Sequence, residues 1–524
     1  MRVFTETRCG SAPAAQDGCP GRTGPRDVDV CLIVEGCYPY RRGGVSNWID
    51  TLLADQSNVN FAVISIQPAQ ATVPVLYTAR SNIRLLQRLE LGSIHVSWRW
   101  QARRREACQA IANEMVDFIR WGSLQNLQRL IRMCKALAGQ RNLSSFVQSK
   151  IGWESACVIY RALAPAVSFR DFYWSWRVLF GGLFAVLDHP LPNAAAFHAV
   201  STGFAGLLAA RARIETGRPA ILTEHGIYTT ERMIELFMAQ WITEDLDLSL
   251  SVQDDRMSLR SFWIRCFESF ARACYEASSL IISLFPENQV SQKELGADAA
   301  KLRIVPNGVR WQDFAHLPQP GTDEAPTVAL IGRVVPFKDV KTFLFAIQFA
   351  RKEISALKAL VVGDLHEDPT YSDECMALAS ALGLADCVEF TGTVRILEVL
   401  PRVHLAVLTS MTESQPLAIL EAGAAGICCI ATDVGGCREL LLGGPEQQHD
   451  IGPGGVVMPA FDADAIGRAI VELLRDPARR QRCAGNLRTR VQRHYDRENV
   501  QAAYAAIYNK CCSTPDALDP SNEA

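Results

Sequence analysis

Arg333 and Lys338 stand five residues apart just after the apolar run TVALIG (327–332), and Glu413 and Glu421, with seven residues between them, follow the run LAVLTS (405–410). A guanidinium presents a planar fork and an ammonium a compact point charge, and both suit phosphate oxygens. A carboxylate accepts the two hydroxyls of a ribose. Cleaving a sugar–diphosphate bond builds negative charge on the departing phosphate, which fixed cations or a metal ion must meet. Brought together, the four side chains describe a site for a nucleotide-diphosphate sugar. Taken singly they say little, since charges after strands are usually solvated and a lone helix glutamate is ordinary. Their joint placement carries the signal.

The elements around them predict that placement. From Thr327 onward short apolar runs alternate with helical patterns: TVALIG, ALVVGD (359–364), VEFTG (388–392), LAVLTS, CCIATD (428–433) and VVMPA (456–460), with DVKTFLFAIQFARKE and PLAILEAGAAG between them. Buried runs alternating with helices predict a parallel sheet covered on both faces. Open parallel sheets bind ligands beyond the carboxyl ends of their strands. Arg333 and Lys338, the loop MTESQP with Glu413, and Val434-Gly435-Gly436 with Glu439 all fall there. Pro416 suits a first helical position.

The first half opens the same way, with VDVCLIVEG (28–36) as a strand, CYPYRRGG as a loop and VSNWIDTLLADQ (45–56) as a helix. Gly43 and Gly44 stand at the N-terminus of that helix, where backbone N–H groups can approach a phosphate. FAVISI (61–66), AAFHAVS (195–201), PAILTEHG (219–226), SLIISLF (279–285) and RIVPNGV (303–309) read as later strands. His225, in TEHG at a strand end, is a functional candidate because the following glycine permits close ligand approach. His198 and Ser201 are weaker candidates for the acceptor side. Long amphipathic stretches over about 92–181 predict a helical insertion. The expected organisation is a tail at 1–27, a first domain over 28–312, a linker at 313–326, a second domain over 327–495, a helix at 496–511 packing back on the first domain, and a tail at 512–524.

The 53 basic and 56 acidic residues nearly cancel, to a formal charge of −3, which argues against an obligatory nucleic-acid partner. The 17 cysteines form no Cys-x-x-Cys pair and predict buried thiols in a reducing compartment. Val178–Leu187 falls well short of the roughly 20 apolar residues of a membrane helix, so a soluble cytoplasmic protein is expected. Asp245-x-Asp247 could suggest metal-dependent sugar transfer, but it follows no clear strand and reads as solvated carboxylates. Phe172, Tyr173, Trp174 and Trp176 read as core.

Several motifs now resemble a known family. ESQPLAILEA, PNGV (306–309), GRVVPFK (332–338) and ATDVGGCRE (431–439) are similar to the signatures of family 4 retaining glycosyltransferases of GT-B fold. IVEGCYPYRRGGVSNWI, HAVSTGFAGLLAA, TEHGIYTTERMIE and LTSMTESQPLAILEAGAAG resemble, more narrowly, the cytosolic glycosyltransferases of bacterial Pel exopolysaccharide synthesis. The resemblance covers roughly residues 28 to 510. It implies an α/β fold of two Rossmann-like doubly wound domains facing across a cleft. It implies that Arg333 and Lys338 bind the donor diphosphate and that Glu421 binds the ribose. Glu413 would lie beside the transferred sugar, with Ser414 and Gln415 on sugar or phosphate and Gly44 on the phosphates. His225 would face the donor sugar or the acceptor. The implied activity is transfer of a hexose from a UDP-sugar, with UDP-glucose the expected donor, to a growing Pel-type exopolysaccharide. Configuration would be retained, with no metal or other cofactor. The implied partners are the donor, a polysaccharide acceptor and an inner-membrane synthesis complex. The alternatives are a catalytically silent regulatory subunit of a membrane synthase, or a glycogen-synthase-like or lipid-linked-sugar enzyme. Gly426-Ile427-Cys428-Cys429 departs from the family, where many relatives carry a proline.

Overall fold

A computed structural model of the chain describes residues 26–69, 74–92, 105–138, 143, 146–239, 257–321, 324–444 and 448–513. Asp245 and Asp247, and most of both expected tails, lie outside the described residues. The chain divides into two compact units, one of 1–283, 288–304 and 504–524, the other of 284–287 and 305–503.

The first unit is built on a wholly parallel sheet. Its strands are β1 (Val28–Glu35), β2 (Phe61–Pro68), β3 (Ile83–Leu91), β4 (Ala194–Ala199), β5 (Ala220–Glu224), β6 (Leu280–Ser283) and β7 (Leu302–Ile304), in the order β3-β2-β1-β4-β5-β6-β7. Central strands such as β1 and β5 are buried along nearly their whole length, as a sheet covered on both faces requires. β3 was not foreseen, because Arg84, Gln87, Arg88 and Glu90 break its apolar run, which an edge strand tolerates. β7 stops at Ile304, two residues before Pro306, so RIVPNGV is strand only at its start.

Helices of six or more residues in this unit begin with α1 (Gly44–Asp55), α2 (Arg105–Trp121), α3 (Leu124–Ala138), α4 (Lys150–Leu163) and α5 (Phe169–Asp188). They continue with α6 (Phe204–Thr216), α7 (Tyr228–Met238), α8 (Leu259–Ala277) and α9 (Pro286–Glu294). Helices α2–α5 are the expected insertion, and they share the unit's main apolar core through residues such as Phe118, Ile131 and Trp176. The insertion runs past its expected end at Gly181, because α5 passes through both glycines to bury Leu183–Leu187. A Cβ on Gly182 would come within 2.5 Å of the Phe204 ring, so that glycine serves packing. Of the four aromatics expected in the core, Phe172 and Trp176 are fully buried, whereas Trp174 is 57% exposed.

The second unit is also parallel throughout, with β8 (Thr327–Ile331), β9 (Lys358–Val362), β10 (Val388–Gly392), β11 (Leu405–Leu408), β12 (Cys428–Thr432) and β13 (Gly455–Met458) in the order β10-β9-β8-β11-β12-β13. Its helices of six or more residues include α10 (Val340–Glu353), α11 (Pro369–Ala381), α12 (Leu417–Ala425), α13 (Cys437–Leu442), α14 (Ala463–Arg475) and α15 (Pro477–His494). One apolar core gathers α10, α11 and α14 with the sheet, and another gathers α12, α13 and part of α15. The stretch expected as a linker belongs to this unit, where Phe314 is buried in the second of those cores. A last helix, α16, spans Arg497–Ser513.

In this sheet the strand order reverses between β8 and β11, which pair in parallel with Val328 opposite Leu405. Such a switch point leaves a crevice beyond the strand ends, since the two following connections depart in opposite directions.

Candidate active site

Both arms of that crevice carry the predicted side chains. After β8 the chain makes a short 3-10 turn at Pro336–Lys338 and then enters α10 through Asp339. Asp339 adopts the left-handed region, φ 47°, and its carboxylate caps the helix by accepting from Thr342 N at 3.2 Å. Thr409, just after β11, donates through Oγ1 to the carbonyls of Lys338 (3.1 Å) and Asp339 (2.8 Å). Met411 N donates to Phe337 O at 2.8 Å. The two loops are therefore fastened backbone to backbone.

This fastening brings Lys338 and Glu413 together. Lys338 Nζ bonds Glu413 Oε1, and Ser410 Oγ donates to the same oxygen at 2.6 Å. Arg333 is ion-paired through Nη1 to Glu367 Oε1, on the loop after β9. The Phe337 ring lies between the cations in sequence and near both, 5.2 Å from the Arg333 guanidinium carbon and 5.6 Å from Lys338 Nζ.

Three glycines let these loops close. A Cβ on Gly363 would lie 1.9 Å from Gly332 O, and one on Gly435 (φ 51°) would lie 1.8 Å from Glu413 O. Gly436 N donates to Ser414 O at 2.6 Å. The Gly435-Gly436 pair thus holds the carboxylate loop in place.

Glu421 lies one turn into α12, half-buried, with no hydrogen bond or ion pair to a described residue. Burial pushes its carboxyl up to about 7. Ser414 Oγ is buried without a partner among the described residues. Gln415 is 4% exposed, and its groups are committed. Asn307 donates from N to Gln415 Oε1 (2.5 Å) and from Nδ2 to Gln415 O (3.0 Å), and Gln415 Nε2 donates to Leu284 O (3.3 Å). Here Gln415 joins PNGV to ESQP, where a ligand contact was expected.

The first unit places its own candidates at the carboxyl ends of β1, β4 and β5. Gly43 precedes α1 with no side-chain cap, and a Cβ on Gly43 or Gly44 would meet nothing within 4 Å. Among the described residues neither packing nor a left-handed φ calls for glycine there. His225 is edge-on to Trp48, with ring centroids 4.5 Å apart, and its Nε2 has no hydrogen-bond partner among the described residues. Burial lowers its pKa to about 4, so it is neutral at pH 7. Ser201 Oγ is likewise buried and unpartnered.

His198 differs from expectation. It is 0% exposed, with Nδ1 bonded to Tyr508 OH (2.7 Å) and Nε2 to Thr223 Oγ1 (2.8 Å), so it is a satisfied core histidine and lines no acceptor surface. Sequence reasoning also passed over Glu224, beside His225. Glu224 is fully buried and accepts from Tyr275 OH (2.7 Å), Gln292 Nε2 (2.9 Å) and Thr202 Oγ1 (3.2 Å). Burial raises its pKa against those bonds. Glu35 ends β1 similarly, accepting from Tyr228 OH at 2.8 Å. Each is a glutamate closing an apolar strand, which was the available signal. Among the described residues no group of three or more His, Cys, Asp or Glu is placed to hold a metal ion, and no helix is long and apolar enough to cross a membrane.

Residues 28–300 match the family model described as Domain of unknown function (DUF3492), and residues 325–476 match the one described as Glycosyl transferases group 1. A glycogen synthase of Mycobacterium tuberculosis is 27% identical over 239 residues, 44% of this chain and 54% of that protein. A GDP-mannose-dependent alpha-(1-6)-phosphatidylinositol monomannoside mannosyltransferase of the same species is 31% identical over 197 residues, 34% of this chain and 48% of that protein. The chain thus spans about half the length of these curated relatives. Among solved structures, Anabaena Alr3699/HepE in complex with UDP and glucose superposes with a TM-score of 0.55 at 14% identity, covering 92% of this chain and 99% of that one. Sucrose-phosphate synthase of Thermosynechococcus elongatus gives a TM-score of 0.55 at 17% identity, covering 91% and 98%. The fold is the α/β GT-B fold.

Proposed function

We propose, from the premise that this chain belongs to the family of the Domain of unknown function (DUF3492) model, which matches over half of it, that it is a glycosyltransferase taking its sugar from a nucleoside-diphosphate donor. The observation that carries the reading is the Lys338–Glu413 pair, held where the loops after β8 and β11 meet by Thr409, Gly435 and Gly436, with Arg333 on the first of those loops. The group 1 match over the same residues supports it.

In this reading Arg333 and Lys338 take the diphosphate, Glu421 the ribose hydroxyls, and Ser414 Oγ a donor oxygen. Glu413 holds Lys338 and faces the transferred sugar. The bond from the sugar's anomeric carbon to the diphosphate oxygen breaks as an acceptor hydroxyl oxygen bonds that carbon on the same face. The hydroxyl proton passes to the departing phosphate. Fixed cations stabilise that leaving group in place from the start, which is what electrostatic preorganisation requires. Transfer is therefore retaining and independent of added metal. Neutral His225 is the first unit's own candidate for acceptor contact, and the α1 N-terminus at Gly43 and Gly44 its candidate for an anion.

For the donor we favour a UDP-hexose, with UDP-glucose first, and for the acceptor a growing exopolysaccharide of Pel type. The first-half motifs IVEGCYPYRRGGVSNWI and TEHGIYTTERMIE support that choice. The test is turnover of UDP-glucose, UDP-N-acetylhexosamines and GDP-mannose by the purified chain, followed as released nucleotide. Lys338→Met and Glu421→Gln should each lower kcat/KM by about 100-fold or more. Activity surviving the double substitution rejects the assignment.

A further inference from the structure

Both cations of the proposed donor site already hold a carboxylate, but the two pairs are unequal. Lys338 and Glu413 keep 15% and 9% of their side-chain exposure, and Glu413 has a second bond from Ser410. Arg333 and Glu367 keep 39% and 41%, and Glu367 has no other hydrogen bond to a described residue. The loop that carries Glu367 is held independently of that side chain. Val334 N donates to Asp364 O (3.0 Å), His366 N to Asp364 Oδ1 (2.8 Å) and Tyr371 N to Asp368 Oδ1 (3.0 Å). Glu367 can therefore leave Arg333 without unfolding anything. The guanidinium, within 5.2 Å of the Phe337 ring, keeps an attractive neighbour when it does.

A diphosphate and a carboxylate compete for the same guanidinium N–H groups. We propose that donor binding is an anion exchange in which the diphosphate displaces Glu367 from Arg333, so that Glu367 sets donor affinity without touching the donor. This rests on the donor reading above. An exposed pair of this kind couples weakly, which corresponds to about a two- to fivefold change in affinity.

The experiment is calorimetric titration of UDP and GDP into the full-length chain without added metal, comparing wild type, Glu367→Gln and Glu389→Gln. Glu389 lies in the same unit and is paired to Arg402, so its substitution removes the same charge elsewhere. Glu367→Gln should bind the preferred nucleotide about two- to fivefold more tightly, Glu389→Gln should match wild type, and the gain should shrink at roughly 0.5 M salt as screening weakens the pair. Unchanged or weaker binding by Glu367→Gln overturns the inference, as does an equal gain in both variants or a gain indifferent to salt. If wild type binds neither nucleotide, the donor reading falls and this inference with it.

Discussion

At Asp339 the backbone turns left-handed, a conformation that costs a non-glycine residue about 1 kcal/mol or more. The helix cap to Thr342 and the two bonds from Thr409 hold it there, and the result is a lysine aimed at Glu413. Glu421 is the other tuned group. Burial lifts its carboxyl to about 7, so in the free chain it is half protonated near neutrality. In the proposed donor site only the ionised form would accept from both ribose hydroxyls. UDP affinity should therefore rise about tenfold between pH 6 and pH 8, and calorimetry on Glu421→Gln should show that dependence flattened. An equal slope in the variant would assign the titration elsewhere. For stability the sign is opposite: the folded chain keeps this proton longer than the unfolded one, so the contribution present at low pH is lost as pH rises through about 7.

The elements that matter most are the loops after β8, β11 and β12, and glycine decides how closely they meet. Gly435 and Gly383 both have positive φ, 51° and 70°, so alanine is strained at either position. They differ in what a Cβ would touch. At Gly383 it meets nothing within 4 Å, and at Gly435 it falls 1.8 Å from Glu413 O. Gly383→Ala should cost about 1 kcal/mol and leave turnover intact. Gly435→Ala should cost at least about 2 kcal/mol and, by moving Glu413, lower kcat about 100-fold. Denaturant unfolding and initial rates on the two variants check this, and equal losses of activity would show that the loop contact does not position Glu413.

Across the whole chain, what the sequence made legible was the strand ends, because a buried parallel strand is a continuous apolar run that stops where its polar loop begins. The positions of Arg333 and Glu413 just beyond β8 and β11 were readable for that reason. Partnerships between loops were not. Glu367 lies 34 residues from Arg333, with β9 between them, and nothing local to it marks it as an ion-pair partner. Gln415 looked like a ligand contact from its neighbours, yet Asn307, 108 residues away, takes its side chain. His198 looked exposed at a strand end, and Tyr508 from the last helix covers it. Long-range packing decided each of these. None of it alters the proposal that fixed side-chain cations do the work of an ion on the departing diphosphate. The most direct measurement is the rate of UDP-glucose turnover in excess chelator, for wild type and for Arg333→Gln and Lys338→Met. The wild-type rate should be undiminished, and each variant should lose about 100-fold or more. A wild-type rate that vanishes with chelator and returns with manganese would contradict that proposal.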